Sequence, residues 1–360
     1  MIPESHSMSV KQRILFLAAV ALLIDSYGCG DGSPCEKCGN SCCTASNICR
    51  YGLCCGWSEM ENVIAIDADS SLRGVWGNSS SAVYAVGGFC WSFGCNESVV
   101  LRYDGDGWYK FDLGTSITLN DVWGTSDNNV FAVGGWCFEL EPQCSGVILH
   151  YNGSLWREVE NNLTYALYDI WGTSEEDVFA VGMKPEGTSF KPIVVHYDGS
   201  VWSEMSLDGV DGDALMEVWG SSRNDVYAVG RNHAIIHYNG SNWSNVALEK
   251  LGSGYLTGIW GSSESDVFIV QMAGPAFHYD GSSWADMQGS ENSEYNDVWG
   301  TSSDDVFAVG RRKPISYYDG QSWSDFEIDP SKSFEAVWGT SFNDVFAAGA
   351  GGRIFKLSCQ

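Results

Sequence analysis

The chain repeats one order of apolar and polar positions along most of its length. Residues 298–310 read VWGTSSDDVFAVG, and residues 315–323 continue with ISYYDGQSW. Copies of this phrase recur at intervals of about 40 to 50 residues, a period typical of propellers and solenoids. The Trp-Gly pairs of the seven copies begin at Trp76, Trp123, Trp171, Trp219, Trp260, Trp299 and Trp338.

Each copy predicts four short strands, which we name a to d. Strand a carries the Trp-Gly pair, strand b is a continuous apolar run such as residues 305–310, strand c resembles residues 235–238, and strand d begins at a second Trp. Strand b shows no polar alternation, so both of its faces should be covered by protein. The Asp-Gly or Asn-Gly between strands c and d favours a tight hairpin turn. Four strands per copy, repeated radially, predict an all-β, seven-bladed propeller.

The tryptophan positions agree with this architecture. The chain has 16 Trp residues, of which seven belong to strand a and seven begin strand d. We expect these 14 to pack between blades, because large aromatic side chains dominate protein cores. The strand-d residues are Trp57, Trp108, Trp156, Trp202, Trp243, Trp284 and Trp323, and the two Trp residues that remain are Trp91 and Trp136.

The two ends of the repeat array predict how the ring closes. The seventh copy lacks a strand d, and an unmatched strand d, residues 56–60, precedes the first copy. We expect the N-terminal strand to complete the last blade, since this hides two sheet edges. Cys54 and Cys359 occupy the places where other copies have the c–d turn. The sequence therefore predicts a disulfide from Cys359 to Cys54 or to its neighbour Cys55.

The N-terminus predicts a secretion signal over residues 1–28. Two basic residues precede an apolar run, residues 14–24, that is too short to span a membrane. Cys29 follows as in bacterial lipoprotein signals, although Ser26 stands where such signals usually carry an aliphatic residue. Cys29 is therefore a candidate lipidation site. The alternative is an ordinary cleaved signal with Cys29 as one more disulfide partner.

A short cysteine-rich module, residues 29–55, separates this signal from the propeller, which we assign to residues 56–360. The chain has 13 Cys, an odd number that becomes even if Cys29 carries a lipid. The module has few apolar residues, so disulfides should hold it together, as in small exported domains. Its Cys-x2-Cys pair also suits zinc, but an oxidising compartment and the lack of a neighbouring His favour disulfides.

The acidic composition limits the partners. The formal net charge is −27, from 19 Lys and Arg against 46 Asp and Glu. Nucleic acids and anionic lipid surfaces are themselves negative, so this charge argues against both as partners. We expect contact with a membrane only through a lipid anchor at Cys29. The expected location is outside the cell membrane, as a cell-surface or outer-membrane lipoprotein or as a secreted protein.

The b–c loops are the candidate binding loops, because they vary most between copies and binding residues usually lie on variable loops. Two of them combine aromatic residues with pairs of cysteines that could staple each loop. The aromatic cluster predicts a stacking platform for a sugar or an anchor for a protein partner. The alternative is that these loops only cap the channel. The aromatic residues are Trp91, Phe93, Trp136 and Phe138, and the expected disulfides are Cys90–Cys95 and Cys137–Cys144.

The other b–c loops are rich in basic residues. On a strongly acidic body, such a sector could attract an anionic ligand. Acidic d–a loops share the same face and could cancel its field, and scattered solvated charges are the alternative interpretation. The candidate residues are Lys184, Lys191, Arg231, Arg311, Arg312, Lys313 and Arg353.

Catalytic signals are sparse. Four His residues, at 150, 196, 237 and 278, share one repeated position in strand c, so we interpret them as scaffold residues. His233 is the His of the variable loops and a candidate acid, base or ligand. Neither Gly-x-Ser-x-Gly nor His-Glu-x-x-His occurs. The acidic stretch 208–213, DGVDGD, lacks EF-hand spacing, so we predict no cofactor, with calcium at this stretch as the alternative.

The repeated phrase, Trp-Gly-Ser/Thr-Ser-x-x-Asp-Val-Phe/Tyr-Ala-Val-Gly followed by His-Tyr-Asp-Gly-x-x-Trp, resembles repeats of exported bacterial propeller proteins. Many of these are cysteine-rich and carry lipoprotein-type signals. The resemblance covers residues 56–360 and implies a seven-bladed, sialidase-like propeller, without an established activity. The sialidase Asp-box, Ser-x-Asp-x-Gly-x-Thr-Trp, is absent, so sialidase chemistry is not carried over to Arg231, Arg311 and Arg353.

These observations favour a non-enzymatic, exported binding protein. Its b–c loops would hold either a glycan, which could be anionic, or an extracellular protein partner. One alternative is a carbohydrate-active lyase or hydrolase at the channel mouth, which requires converging acid and base groups with perturbed pKa values. Another is a structural subunit of a surface assembly.

Overall fold

The computed structural model describes residues 36–38, 41–43, 47–61, 63, 69–91, 94–114, 116–138, 143–248, 255–287, 294–311 and 314–359. Over these residues the chain is all-β, with one 3-10 turn at Arg231–His233 and no α-helix. The first four strands are β1 (Glu36–Cys38), β2 (Ser41–Cys43), β3 (Ile48–Arg50) and β4 (Leu53–Glu59).

Twenty-seven further strands of the described residues build the blades, in chain order. Blade 1 contains β5 (Ser71–Ser79), β6 (Ala82–Trp91), β7 (Gly94–Tyr103) and β8 (Trp108–Lys110). Blade 2 contains β9 (Leu119–Ser126), β10 (Asn129–Phe138), β11 (Gln143–Tyr151) and β12 (Trp156–Leu163). Blade 3 contains β13 (Ala166–Ser174), β14 (Asp177–Glu186), β15 (Ser189–Tyr197) and β16 (Trp202–Glu204). Blade 4 contains β17 (Leu215–Ser222), β18 (Asp225–Gly230), β19 (Ile235–Tyr238) and β20 (Trp243–Asn245).

The last three blades follow the same order. Blade 5 contains β21 (Leu256–Ser263), β22 (Asp266–Gln271), β23 (Phe277–Tyr279) and β24 (Trp284–Asp286). Blade 6 contains β25 (Tyr295–Ser302), β26 (Asp305–Gly310), β27 (Ile315–Tyr318) and β28 (Trp323–Asp325). Blade 7 contains β29 (Phe334–Ser341), β30 (Asp344–Gly349) and β31 (Ile354–Cys359), and β4 follows β31 in its sheet.

The blades form a closed ring. Within each blade the strands pair antiparallel in the order a, b, c, d. Every strand a contacts the strand a of the next blade, and β29 of blade 7 returns to contact β5 of blade 1. The predicted seven-bladed propeller is thereby confirmed. Strand b is buried along its whole length in blade 6, as its continuous apolar run predicts, because neighbouring blades cover both faces.

The N-terminal strand closes the ring as predicted. β4 supplies the outer strand of blade 7, beside β31. The N–H of Met60 donates to the carbonyl oxygen of Ile354 at 2.8 Å. Trp57 packs edge-on against Phe307 and Phe326, with ring centroids 6.0 and 6.1 Å apart. The last blade therefore gains its missing edge and a half-buried aromatic anchor from the other end of the repeat array.

A disulfide joins Cys55 to Cys359 across 304 positions of sequence. Cys359 thus takes the second of the two partners that the sequence allowed. Cys54 is itself disulfide-bonded. The described strands before Gly56, together with Cys359, belong to a compact unit separate from Gly56–Ser358. In that unit β1 pairs with β2, and β3 pairs with the first residues of β4.

The Trp-Gly pair is explained by contact between blades. A Cβ placed on Gly220 would lie 2.7 Å from the Trp171 ring of the preceding blade, closer than atoms tolerate. The same contact joins Gly77 to Trp338 across the closure of the ring. Each Trp therefore needs the following blade to carry glycine at this position, since interiors are close-packed. The pair is a packing signature, repeated in all seven blades.

The c–d turns have the chemistry that their sequence predicts. In blade 3, Gly199 has φ +89°, which a residue with a side chain rarely adopts. The carboxylate of Asp198 accepts hydrogen bonds from the N–H groups of Ser200 and Val201, at 2.9 and 3.0 Å. Those bonds lower the pKa of Asp198, because they stabilise its charged form.

Candidate functional site

The strands a surround a central channel with a volume of about 650 Å³. In an antiparallel blade the starts of strand a and the b–c loops lie at the same end, which we name the b–c face. Arg231 and Arg311 follow strand b in blades 4 and 6, and both line the channel. Arg73, near the start of strand a in blade 1, lines it with them. The channel therefore opens toward the b–c face.

A β-bulge recurs in strand a of every blade, at the third residue before the Trp. In blade 1 the register shifts between Leu72 and Gly74, which leaves Arg73 outside the ladder. The same shift occurs in the other six blades. In a regular strand only every second side chain would face the channel. Because a bulge changes the direction of side chains, two consecutive residues face it here. The third residue before the Trp forms the upper ring, and the second residue before it forms the lower ring.

The upper ring joins neighbouring blades through side-chain donors. Asn120 donates to the carbonyl oxygen of Leu167 at 2.7 Å. Equivalent bonds run from Thr257 to Tyr295 at 2.8 Å and from Asn296 to Phe334 at 2.7 Å. These donors satisfy backbone carbonyls between blades. The upper ring consists of Arg73, Asn120, Tyr168, Met216, Thr257, Asn296 and Glu335.

The lower ring contains four acidic side chains that accept hydrogen bonds from the next blade. Asp169 accepts from the N–H of Val218 at 2.6 Å, and Asp121 accepts from that of Ile170 at 3.3 Å. Glu217 accepts in the same way from the backbone of blade 5. Asp297 accepts from the backbone of blade 7. The four carboxyl groups thus connect strands a across four of the seven seams, and they face the channel while doing so.

These carboxyl groups are also hydrogen-bonded to one another in two pairs, Asp121 with Asp169 and Glu217 with Asp297. Burial raises the pKa of Asp121 and of Asp169, and the charge of Asp169 raises that of Asp121 further. Burial likewise raises the pKa of Glu217, with the charge of Asp297 adding to it, and raises the pKa of Asp297 to about 7. Since neighbouring carboxylates repel, each pair holds a proton in weakly acidic solution.

Arg73 is the basic residue of the upper ring. Its guanidinium donates to the side-chain oxygen of Asn120 at 3.1 Å. Burial within the channel lowers the pKa of Arg73, and the negative charge of Glu335 opposes that shift. Arg73 therefore adds a positive charge beside hydrogen-bonding amides at the channel mouth.

Three residues form a rim on successive blades at the mouth. Arg231, Met272 and Arg311 occupy one equivalent position, directly after strand b in blades 4, 5 and 6, and all three line the channel. The backbone N–H of each rim residue donates at 3.0 Å to the carbonyl oxygen of the residue directly before strand a of the same blade. These acceptors are Ala214, Tyr255 and Glu294. The shared backbone bond fixes the three side chains as a regular row, which we call the rim. Arg231 also lies over the ring of Tyr255, 5.6 Å from its centroid.

Other basic residues predicted for this face are engaged in ion pairs. Their charge is balanced locally, so the positive sector is smaller than the count of basic residues implied. The pairs are Lys184 with Glu204, Lys191 with Glu186 at 2.5 Å, and Arg353 with Glu59 at 3.3 Å. Arg312 and Lys313 lie outside the described residues.

His233 lies in the 3-10 turn of blade 4 with φ 61°, beside Asn232 with φ 53°. Its Nε2 is enclosed and has no hydrogen-bond partner among the described residues. Asn232 donates to Asp213. His233 is close to the rim residue Arg231 in sequence, but it does not belong to the side chains that line the channel.

The aromatic loop of blade 2 has the predicted staple. Cys137 and Cys144 form a disulfide. The rings of Trp136 and Phe138 pack edge-to-face, with centroids 4.0 Å apart. In blade 1 the backbone positions of Cys90 and Cys95 face each other across the hairpin. Phe93 and the side chains of Trp91, Cys90 and Cys95 lie outside the described residues.

Three of the four strand-c His residues, His196, His237 and His278, pair with an aspartate of strand b, whereas His150 contacts Asn129 there. In blade 4, the carboxylate of Asp225 accepts a bond from Ser221 at 2.5 Å and contacts His237 Nε2 at 2.7 Å. A Ser-His-Asp triad needs the imidazole between the hydroxyl and the carboxylate. Here the carboxylate lies in the middle, so this arrangement cannot activate the serine and instead ties strand c to the a–b turn.

The lower-ring acids were missed by the sequence interpretation. Their signal was present, because an acidic residue stands two places before the strand-a Trp in four of the seven copies. The sequence shows neither the bulge nor the pairing. Among the described residues, no three His, Cys, Asp or Glu side chains are arranged to hold a metal ion. In the stretch proposed for calcium, Asp211 accepts a bond from the side chain of Asn245.

In the part of the chain that is described, no helix has the length and apolar character needed to cross a membrane. No protein-family model matches the chain, and no curated protein matches it in sequence.

Solved structures of other propellers resemble the fold. YCF48 bound to D1 peptide has a TM-score of 0.61 and 13% identity, covering 84% of this chain and 96% of that chain. YCF48 from Cyanidioschyzon merolae has the same TM-score and identity, covering 84% of this chain and 98% of its own. The extracellular domain of BT4673 from B. thetaiotaomicron has a TM-score of 0.60 at 13% identity, covering 84% of this chain and 40% of that chain. At these identities the likeness establishes the fold.

Proposed function

We propose that this chain is an exported, non-enzymatic binding protein that holds its partner at the channel mouth on the b–c face. One observation carries the proposal. Arg73, Arg231 and Arg311 converge on a channel of about 650 Å³, although the chain as a whole has a net charge of −27. Pockets of this size with a few convergent polar groups are typical binding sites.

Binding is favoured over catalysis because of what the channel carboxyl groups already do. Their raised pKa values are what an acid–base enzyme would need. However, Asp121, Asp169 and Asp297 each accept a bond from the backbone of the next blade, and the fourth acid, Glu217, does the same. Groups committed to joining blades are poorly placed to exchange protons with a substrate, so we assign them a structural role.

A polypeptide partner is favoured over a glycan at this mouth. A solved propeller of the same fold, YCF48, is bound to a D1 peptide, which supports peptide binding on such a scaffold. Arginine, methionine and tyrosine are enriched at protein interfaces, and these are the residue types of the rim and its neighbour Tyr255.

The test is a screen of the wild-type protein against a peptide array and a glycan array. The variant Arg231→Ala/Arg311→Ala removes both rim charges, and Arg223→Ala serves as the matched control, because Arg223 lies in the a–b turn at the opposite face. We expect hits on the peptide array that the double variant loses and the control keeps. Hits that survive in the double variant would contradict a binding site at the channel mouth.

A second candidate function is glycan binding by the stapled loop of blade 2. The observation in its favour is the rigid pair of Trp136 and Phe138 beside the Cys137–Cys144 disulfide, since aromatic faces bind sugars by stacking. Glycan-array binding that is lost in Trp136→Ala but kept in Arg231→Ala/Arg311→Ala would support this function. Equal binding by Trp136→Ala and wild type would exclude it.

Export is supported by the disulfides, which form in oxidising compartments. We further propose that residues 1–28 are a signal, that Cys29 is lipidated, that residues 29–55 form a cysteine-rich module, and that residues 56–360 form the propeller of an exported bacterial repeat family. Detergent phase partitioning in a bacterial host tests the anchor. The wild type should enter the detergent phase and Cys29→Ser should stay in the aqueous phase, whereas aqueous wild type would contradict lipidation.

A further inference from the structure

We infer that the partner presents an acidic, extended polypeptide segment, which lies along the rim of Arg231, Met272 and Arg311 and against raised hairpins of blades 2 and 3. This inference rests on the proposed function, because it assumes that the channel mouth is the binding site. It adds the chemical class of the segment and the part of the face that the segment contacts.

The rim is low and the opposite side of the mouth is high. In blades 4 to 6, strand b ends directly before the rim residue, as at Gly230 and Gly310. In blade 3, β14 continues past the equivalent residue, Met183, to Glu186, and β15 returns from Ser189. Three extra residues at about 3.3 Å each raise this hairpin by about 10 Å.

The hairpin of blade 2 is raised in the same way. There, β10 runs past the equivalent residue Gly135 to Phe138. The disulfide Cys137–Cys144 holds the two strands of this extension together. In blade 1, β6 likewise runs past the equivalent residue Gly88 to Trp91. Raised hairpins on blades 1 to 3 therefore bound the mouth, which is open over the rim. A narrow segment can reach the mouth over the rim, whereas the raised hairpins obstruct a flat protein surface.

The rim presents two charges with an apolar residue between them. Arg231 and Arg311 lie on blades 4 and 6, and the Met272 side chain lies on blade 5 between them. A polypeptide with acidic, apolar and acidic side chains in turn matches this row, because arginine binds carboxylates through paired donors and methionine adapts to apolar surfaces. The ring of Tyr255, 45% exposed beside Arg231, extends the apolar part.

Several acidic groups around the rim are already engaged with partners of their own. Hydrogen bonds join the channel acids in the pairs Asp121–Asp169 and Glu217–Asp297, and burial raises the pKa of all four, which reduces the negative charge beneath the rim. In the upper ring, Glu335 faces Arg73. Asp213, on the d–a link of blade 4, accepts a bond from Asn232. Arg311 is exposed, and no acidic side chain of the described residues lies within ion-pair distance of it.

The test measures fluorescence anisotropy of two labelled peptides and one labelled oligosaccharide with the full chain. The acidic probe repeats Glu-Leu, the neutral probe repeats Gln-Leu, and oligogalacturonate provides an anionic glycan. The test variant is Arg231→Glu/Arg311→Glu. The control is Arg223→Glu, which carries the same Arg-to-Glu substitution on the opposite face. Circular dichroism and Tm establish that each variant is folded.

We expect the acidic peptide to bind at least about tenfold more tightly than the neutral one. Binding should weaken at least about tenfold in Arg231→Glu/Arg311→Glu and change less than about twofold in Arg223→Glu. It should also weaken as NaCl rises from about 50 to about 300 mM, because salt screens exposed charge pairs.

Three results would overturn the inference. The first is equal binding of the acidic and neutral peptides, and the second is undiminished binding by the folded double variant. The third is binding of oligogalacturonate but not of the acidic peptide, which would assign the rim to a glycan. If array peptides lost in Arg231→Ala/Arg311→Ala show no preference for acidic residues, the proposed function stands and this inference falls.

Discussion

The carboxyl group of Asp297 accepts a hydrogen bond from the backbone N–H of Val337, 2.7 Å away in the next blade. Three other lower-ring acids make the same link at three other seams. The ring is thus joined by a repeated contact between a protonatable side chain and a neighbouring strand a. Because burial raises the pKa of these groups in the folded state, the stability of the ring should respond to pH.

The first prediction concerns this pH dependence. The pKa of Asp297 is raised from its ordinary 3.8 to about 7, so the folded state keeps a proton that the unfolded state loses between about pH 4 and pH 7. The free energy of unfolding should therefore fall as pH rises through this window. Thermal unfolding from about pH 5 to pH 8 should show a smaller fall in Tm for Asp297→Asn than for wild type, since asparagine keeps the acceptor and cannot ionise.

The matched control is Asp280→Asn. Asp280 lies in an exposed c–d turn, and backbone hydrogen bonds lower its pKa. Its contribution is lost only at pH values below the measured range, so its variant should keep the wild-type slope. An unchanged slope in Asp297→Asn would show that ionisation of Asp297 does not control the stability of this seam.

The second prediction concerns the Trp-Gly pair. Gly220→Ala would place a Cβ 2.7 Å from the Trp171 ring and 2.7 Å from the backbone oxygen of Asp225. Overpacking of this kind usually costs about 1–3 kcal/mol, so we expect a clear loss in urea-unfolding free energy. Gly107→Ala is the control, because a Cβ there meets nothing within 4 Å. Equal stability of the two variants would refute the packing explanation.

The third prediction compares the two disulfides. Cys55–Cys359 closes a loop of 304 residues and Cys137–Cys144 a loop of 7. In the chain-entropy model, removing the first costs roughly 5–6 kcal/mol and removing the second roughly 2–3 kcal/mol. Cys55→Ser/Cys359→Ser should thus lower Tm more than Cys137→Ser/Cys144→Ser does. The reverse order would mean that closure of the ring depends little on this bond.

The fourth prediction concerns Ser221, Asp225 and His237. The carboxylate lies between the other two groups, so Ser221 should not react with a fluorophosphonate probe that labels activated serines. Ser221→Ala should lower stability by about 1 kcal/mol, the usual contribution of one such bond. Labelling of wild type that Ser221→Ala abolishes would instead reveal a nucleophile.

Much of the fold could be predicted from the sequence because its signals are local. The Asp-Gly turn before Trp202, the apolar run 305–310 and the missing last strand each describe a feature within a few residues. The staple Cys137–Cys144 was predictable for the same reason. The choice between Cys54 and Cys55 for Cys359 was not, since adjacent residues of a strand point in opposite directions and the register decides which one meets its partner.

The sequence by itself determined the number of blades, the role of each strand and the closure of the ring, because these follow from a repeated pattern of apolar, aromatic and turn residues. The tertiary structure decided the candidate site. Asp297 and Glu217 are paired, and Arg231 and Arg311 share a mouth, although each pair is 80 positions apart in the chain. Such residues meet only when the ring closes. The bulge that directs the acids into the channel cannot be recognised from the local sequence.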